Sequence, residues 1–177
     1  EGGAVVSTDP GCIARASRAL NFGFWGSRDT CSASINGKLS EYHAAVGLAE
    51  FDGWDAKRAE FAEVAAEYHR QFDAAGLGGR LLTSPEISAS YVLYRCARAR
   101  DAARIGDELL RNGVDFRYWY GAGVQRQSHY RTLRRAGPLR HSARVASCVL
   151  GLPCAPDLDA ASIARVAAAV AAAGTPA

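Results

Sequence analysis

Methionine is absent from the 177 residues, and lysine occurs only twice, at Lys38 and Lys57. The chain opens Glu1-Gly2-Gly3, so we expect either that a longer N-terminal part belongs to the native protein or that the chain is processed. No stretch has the pattern of a signal peptide. Charge-free runs such as 145–156 are too short to span a bilayer, and the odd cysteine count suggests a cytoplasmic protein. The five cysteines (Cys12, Cys31, Cys96, Cys148, Cys154) include no CxxC pair, and the four histidines stand at no ligand spacing. That leaves no metal site to assign and suggests reduced, mostly buried thiols. Excess charge is lacking too: a net +3 makes no whole-chain case for nucleic acid.

What is present is ordinary globular composition, 49% apolar and 22% charged, which argues against disorder. Gly3 to Thr8 is short and β-branched and reads as a strand. Asp9 can cap a helix whose first turn suits Pro10, so 11–20 reads as a helix. Residues 21–36, rich in Gly, Ser, Asn and aromatics, read as a long loop of the kind that often carries function. From Ser40, Tyr42, Ala45, Val46, Ala49, Phe61, Val64, Ala65, Tyr68 and Phe72 recur at helical spacing, interrupted at Asp52-Gly53. Two helices or one kinked helix follow from that. Beyond residue 80, strands at 81–82, 90–97 and 114–118 alternate with a helix at 101–111. The basic stretch 126–144 reads as irregular, 145–152 passes from a helix end to a short strand, and a final Ala-rich helix spans 157–173. This order suits a small α/β or α+β unit.

Several motifs fail on inspection. The loop Ile35-Asn36-Gly37-Lys38 lacks the first glycine and the Ser/Thr of a P-loop. Gly121-Ala122-Gly123 lacks the third glycine of a dinucleotide fingerprint. Two readings of the first loop stay open. Asn36, Lys38 and the helix start at Ser40 could contact a phosphate, or Ser40 is a cap and Asn36-Gly37 a turn; the residues alone favour the second. Lys38 shows no sign of the burial a Schiff-base lysine needs, and Glu41 stands near to keep it charged. His43 and His69 read as packing or surface residues. Six arginines and two histidines between Gln125 and Arg144 could form an RNA-binding patch with Tyr130 and His129 as stacking groups, an arginine-lined cleft for a phosphorylated small molecule, or a solvated face.

The blocks EGGAVVSTD, ALNFGF, NGKLSEYHAAVGLAEFD, AEYHRQF and LGLPCAPDLDAASIARVAAAV together resemble the DegT/StrS-type nucleotide-sugar aminotransferases, over most of the chain. The resemblance implies the C-terminal portion of a fold-type-I, aspartate-aminotransferase-like pyridoxal-phosphate enzyme. Residues 1–75 would be the end of the large domain with the interdomain helix, and 76–177 the small α/β domain. The family's Schiff-base lysine precedes the EGG block, so the resemblance implies a chain that begins just after it and holds no catalytic residue. It gives Asn36 a contact to the cofactor phosphate of the partner subunit in a homodimer with composite sites. Lys38, Arg117 and Trp119 become substrate contacts. The family's His after the third strand is missing here. The implied reaction, in deoxysugar biosynthesis, moves an amino group from a donor such as glutamate to a keto-deoxysugar nucleotide. The rivals are a non-catalytic remnant or oligomerisation partner, and a basic RNA-binding protein.

Overall fold

A computed structural model describes residues 2–84, 91–119 and 121–174, and these form two compact units, divided between Trp54 and Asp55. Ser90 of the expected second strand and Tyr120 of the aromatic run lie outside the described residues.

In the first unit, residues 2–8 form no strand, contrary to the sequence expectation. The physical reason is pairing: a strand is stabilised by a neighbour, and none of the described residues pairs with this segment, which leaves Val6 90% exposed. Helix α1 (Pro10–Leu20) starts where Asp9 accepts from the Gly11 N–H at 2.8 Å, with Pro10 in the first turn. The chain then loops out and returns. Asn21 bridges Asn36, the Phe22 N–H donates to Ile35 O at 3.1 Å, and the Gly37 N–H donates to Leu20 O at 2.9 Å. Gly23 turns the loop at φ +78°, where an added Cβ would press on Ser32 O at 3.0 Å, so only glycine fits. Helix α2 (Glu41–Asp52) begins at the Ser40 cap and stops at Gly53, which makes two helices of the interrupted pattern.

Neither α1 nor α2 buries a residue. Tyr42 is 76% exposed and Phe51 74%. The helical apolar periodicity of 42–49 therefore finds no core within this unit. Burial begins in α3 (Trp54–Ala74), whose Val64, Tyr68 and Phe72 are covered.

The second unit is built on an antiparallel sheet with strand order β1-β2-β4-β3, where β1 is Leu81–Leu82, β2 Tyr91–Arg95, β3 Arg117–Tyr118 and β4 Val149–Pro153. Tyr94 stands between Leu81 and Leu150, and Val92 opposite Leu152. Alternation puts Val92 and Tyr94 on the inner face of β2 and leaves Tyr91 and Leu93 half-covered on the other. Helix α4 (Ala99–Arg111) lays Ala102, Ile105 and Leu109 on the core, and α6 (Ala160–Gly174) adds Ile163, Val166 and Val170. Asp159 caps α6, accepting from the Ser162 N–H at 2.7 Å. The expected third strand of 114–118 shortens to its last two residues, and the helix whose end is expected near 145 is α5 (Arg140–Cys148), which starts inside the basic segment expected to be irregular.

Candidate functional site

The long loop of the first unit is where the expected cofactor group Asn36 meets Lys38. Its bridge sets Asn21 and Asn36 side by side. Lys38 reaches back over them: Nζ donates to Asn36 Oδ1 at 2.9 Å and to Asn21 Oδ1 at 3.1 Å, and lies 4.1 Å from the Phe22 ring centroid. A cation over a ring face is held there by the ring quadrupole. Glu41 forms no ion pair with Lys38, so the neighbour expected from sequence is replaced by two carboxamides and a ring. Because both carboxamide oxygens turn inward to the ammonium, both NH2 groups remain as donors. Arg18 lies 5.6 Å from the Trp25 ring, and its Nε is buried with no hydrogen-bond partner. Its carbonyl accepts from the Asn21 and Gly23 N–H groups at 3.1 and 2.9 Å, which fixes the neck of the loop.

This donor set holds one ammonium and two carboxamides around a surface turn, with no carboxylate bonded to it. Such a set fits a phosphate, which accepts from neutral amides and pairs with a point charge. The α2 start contributes less than expected, because Ser40 already accepts from the His43 N–H at 3.2 Å and its Oγ lies 2.7 Å from His43 Nδ1. His43 thus has a capping contact on an exposed face, the surface alternative expected from sequence. Asn21 and Arg18 were not singled out from sequence. Asn21 sat in the quoted ALNFGF block, but only the bridge to Asn36 reveals its place.

Arg117 and Trp119 belong to the second unit. Arg117 pairs with Gly151 on β4, and the Trp119 N–H donates to Val149 O at 3.2 Å. The Trp119 ring meets Tyr91 edge-on at 5.3 Å between centroids. Arg117 is exposed, so its fork is available to a planar anion, and Trp119 is half-buried. The structure thus brings Asn36 to Lys38 in the first unit, while Arg117 and Trp119 lie in the second.

His69 Nε2 lies 2.6 Å from Thr83 Oγ1 at the rim of a mostly apolar groove of about 570 Å³ lined by Phe61, Ala65, Leu82, Tyr91 and Cys154. In the basic stretch, Arg131 and Arg135 donate to the carbonyls of Arg126 and Gln125 at 3.5 and 3.0 Å, tying the segment to itself. Cys31 is exposed, against the expectation of mostly buried thiols, while Cys96 and Cys148 are buried; all five are free. Burial pushes the Cys96 thiol up to about 12, with Cys148 and Asp101 adding to the rise. Among the described residues, no group of three or more His, Cys, Asp or Glu could hold a metal ion, and no helix is long and apolar enough to cross a membrane.

Comparison with known proteins identifies the family. The model of the DegT/DnrJ/EryC1/StrS aminotransferase family matches residues 1–171. Protein Rv3402c of Mycobacterium tuberculosis is 31% identical over 175 residues, which cover 96% of this chain and 42% of that protein. Among solved structures, S. venezuelae DesV in complex with a ketimine intermediate is 26% identical, with a TM-score of 0.76 over 97% of this chain and 47% of DesV. DesI in the presence of its TDP-sugar product is 26% identical, with a TM-score of 0.77 over 94% of this chain and 44% of DesI. The chain spans less than half the length of these relatives, and its mixed α/β architecture matches a C-terminal portion of the pyridoxal-phosphate aminotransferase fold. With the family model matching almost the whole sequence, the chain belongs to the DegT/DnrJ/EryC1/StrS aminotransferase family.

Proposed function

We propose that the complete enzyme containing this chain is a pyridoxal-phosphate-dependent aminotransferase that moves an amino group from an amino acid such as glutamate to a nucleotide-linked keto-deoxysugar. The observation that carries this reading is the Lys38 ammonium held between the carboxamides of Asn21 and Asn36, a phosphate-type donor set on a loop closed at its neck. Family membership and the TDP-sugar product present with DesI support the substrate class.

When bound, pyridoxal phosphate supplies the electron sink for amino transfer. The residues of this chain bind and orient. Asn36 donates an amide N–H to the cofactor phosphate of the partner subunit in a homodimer. Lys38 adds a point charge at the same phosphate or at the nucleotide. Arg117 forks onto a substrate phosphate, and Trp119 packs beside the sugar nucleotide. Lys38 serves as a binding group and no residue here carries the Schiff base. In the complete enzyme, residues up to about 75 close the large domain and 76–177 form the small one.

The test is an assay of the complete enzyme with pyridoxal phosphate, glutamate and a TDP-linked keto-deoxysugar, read by mass spectrometry for the aminated sugar. Product formation that Asn36→Ala cuts severely is the expected result. Absence of any aminated product across nucleotide-linked keto sugars sinks the reading.

A further inference from the structure

At the start of α4 the sequence acts against the helix's own electrostatics. The N-terminal turn of a helix carries a partial positive charge and disfavours cations, and like charges four residues apart repel. Yet Arg98 occupies the N-cap and provides no side-chain cap, Arg100 follows in the first turn, and Arg104 stands four residues beyond Arg100. One carboxylate answers them: Asp101 accepts from Arg98 Nε at 3.0 Å and from Arg98 Nη2 at 3.4 Å. That fork, with Arg100 and Arg104 nearby, holds the Asp101 carboxyl below its ordinary range.

Arg80 joins the cluster from the far side of the sheet sequence, and together these residues line a pocket of about 480 Å³ with Ala97, Ile105 and Gly174. Once Arg98 is paired with Asp101, three guanidinium charges are in excess. Arg100 and Arg104 form no hydrogen bond or ion pair with a described residue beyond their field on Asp101. Behind Arg80 lies a second anomaly. Tyr94 is fully buried, and its hydroxyl has no hydrogen-bond partner. Arg80 is near enough to act on that hydroxyl, working against the upward push of burial. Local rules broken together at one place mark a functional site more often than a structural one.

We propose that this pocket binds a small phosphate-bearing anion, with Arg80, Arg100 and Arg104 as its ligands and Arg98 positioned by Asp101. A bound diphosphate relieves the Arg100–Arg104 repulsion and supplies the negative charge that the α4 N-terminus favours. Arginine suits the task because its planar fork matches a phosphate edge in two parallel hydrogen bonds.

Isothermal titration of the full chain with inorganic pyrophosphate at fixed ionic strength tests the assignment. Saturable binding is expected, weakened about tenfold or more in the Arg100→Ala/Arg104→Ala double variant. Those side chains are exposed and contribute no buried packing, so the circular dichroism of that variant should match the parent's. Arg80→Gln, on a separate segment, should weaken binding independently, while Arg111→Ala at the other end of α4 should leave it unchanged. A parallel titration with UDP separates the sources: tighter binding than pyrophosphate assigns a nucleoside diphosphate, equal binding a free phosphate compound. The proposal is overturned if neither probe binds saturably, if the double variant binds as the parent does, or if sulfate at equal ionic strength gives the same response.

Discussion

The Tyr68 hydroxyl donates to the carbonyl of Pro153 at 2.7 Å, joining α3 to the last residue of β4 across 85 positions of sequence. Burial raises the Tyr68 phenol well above its ordinary value, so it stays a donor throughout the working pH range. Tyr68→Phe keeps the ring against Phe72 and deletes only this bond. The expected loss is about 1 kcal/mol, up to about 3 where the Pro153 carbonyl is left without a partner. Urea unfolding of both proteins checks it; an unchanged midpoint would show that the bond contributes nothing.

Gly106 faces Phe116 so closely that a Cβ there would sit 2.4 Å from the ring's Cζ. On an exposed helix, Gly→Ala gains up to about 1 kcal/mol. Here overpacking wins, at a cost of about 1–3 kcal/mol, so Gly106→Ala should lower the melting temperature. A rise in melting temperature would mean that Phe116 moves aside without penalty.

Alkaline pH should destabilise the second unit. The Cys96 thiol has an ordinary value of 9.0 and is raised to about 12 in the fold. Below 9 both folded and unfolded states carry the proton, and the full stability is present. Between 9 and about 12 the unfolded state releases its proton first, so stability falls as pH rises, by at most about 1.4 kcal/mol per pH unit from this group. Denaturation midpoints of parent and Cys96→Ala from pH 8 to 11 should converge as pH rises. Parallel curves would remove Cys96 as a cause.

The partner-subunit role of Asn36 can be tested by mixing. In the complete enzyme Asn36→Ala should weaken cofactor retention roughly ten- to a hundredfold, from the loss of about 1.5–3 kcal/mol in a charge-assisted hydrogen bond. Mixed dimers of Asn36→Ala subunits with subunits lacking the Schiff-base lysine keep one composite site with both groups. Recovery of part of the activity is expected; if none returns while each parent is inactive, the loop serves only its own subunit.

Hydrogen exchange should separate the two units of this chain. All the core residues lie at Val64 and beyond, so amides of α1 and α2 should exchange much faster than those of β4 and α6. Equal protection would require an apolar partner surface for α2, such as a second chain.

How legible these features were in sequence depended on how local their causes are. Asp9-Pro10 announced α1, and Asp52-Gly53 the break before α3, because caps and breakers act within a few residues. The end of α5 was legible but its start was not, because its N-cap is Leu139, in a left-handed conformation at φ 46° with no side-chain cap, and so carries none of the usual start signals. The strand at 114–118 shrank because β3 pairs only through Gly151 and Leu150 of distant β4. Asn36 and Lys38 could be named from sequence, whereas Asn21 needed the bridge. Arg80 met Arg100 and Arg104 only through the fold.

The Asn21–Asn36 bridge has a consequence for length variation. A loop tied at its neck transmits little of what happens at its tip, much as a knotted cord isolates its free end. The tip around Ser27 to Asp29 is exposed, and insertions there leave the Asn21, Asn36 and Lys38 geometry untouched. That makes the tip a graft point, where a recognition peptide or a spectroscopic label can be installed beside Asn21, Asn36 and Lys38.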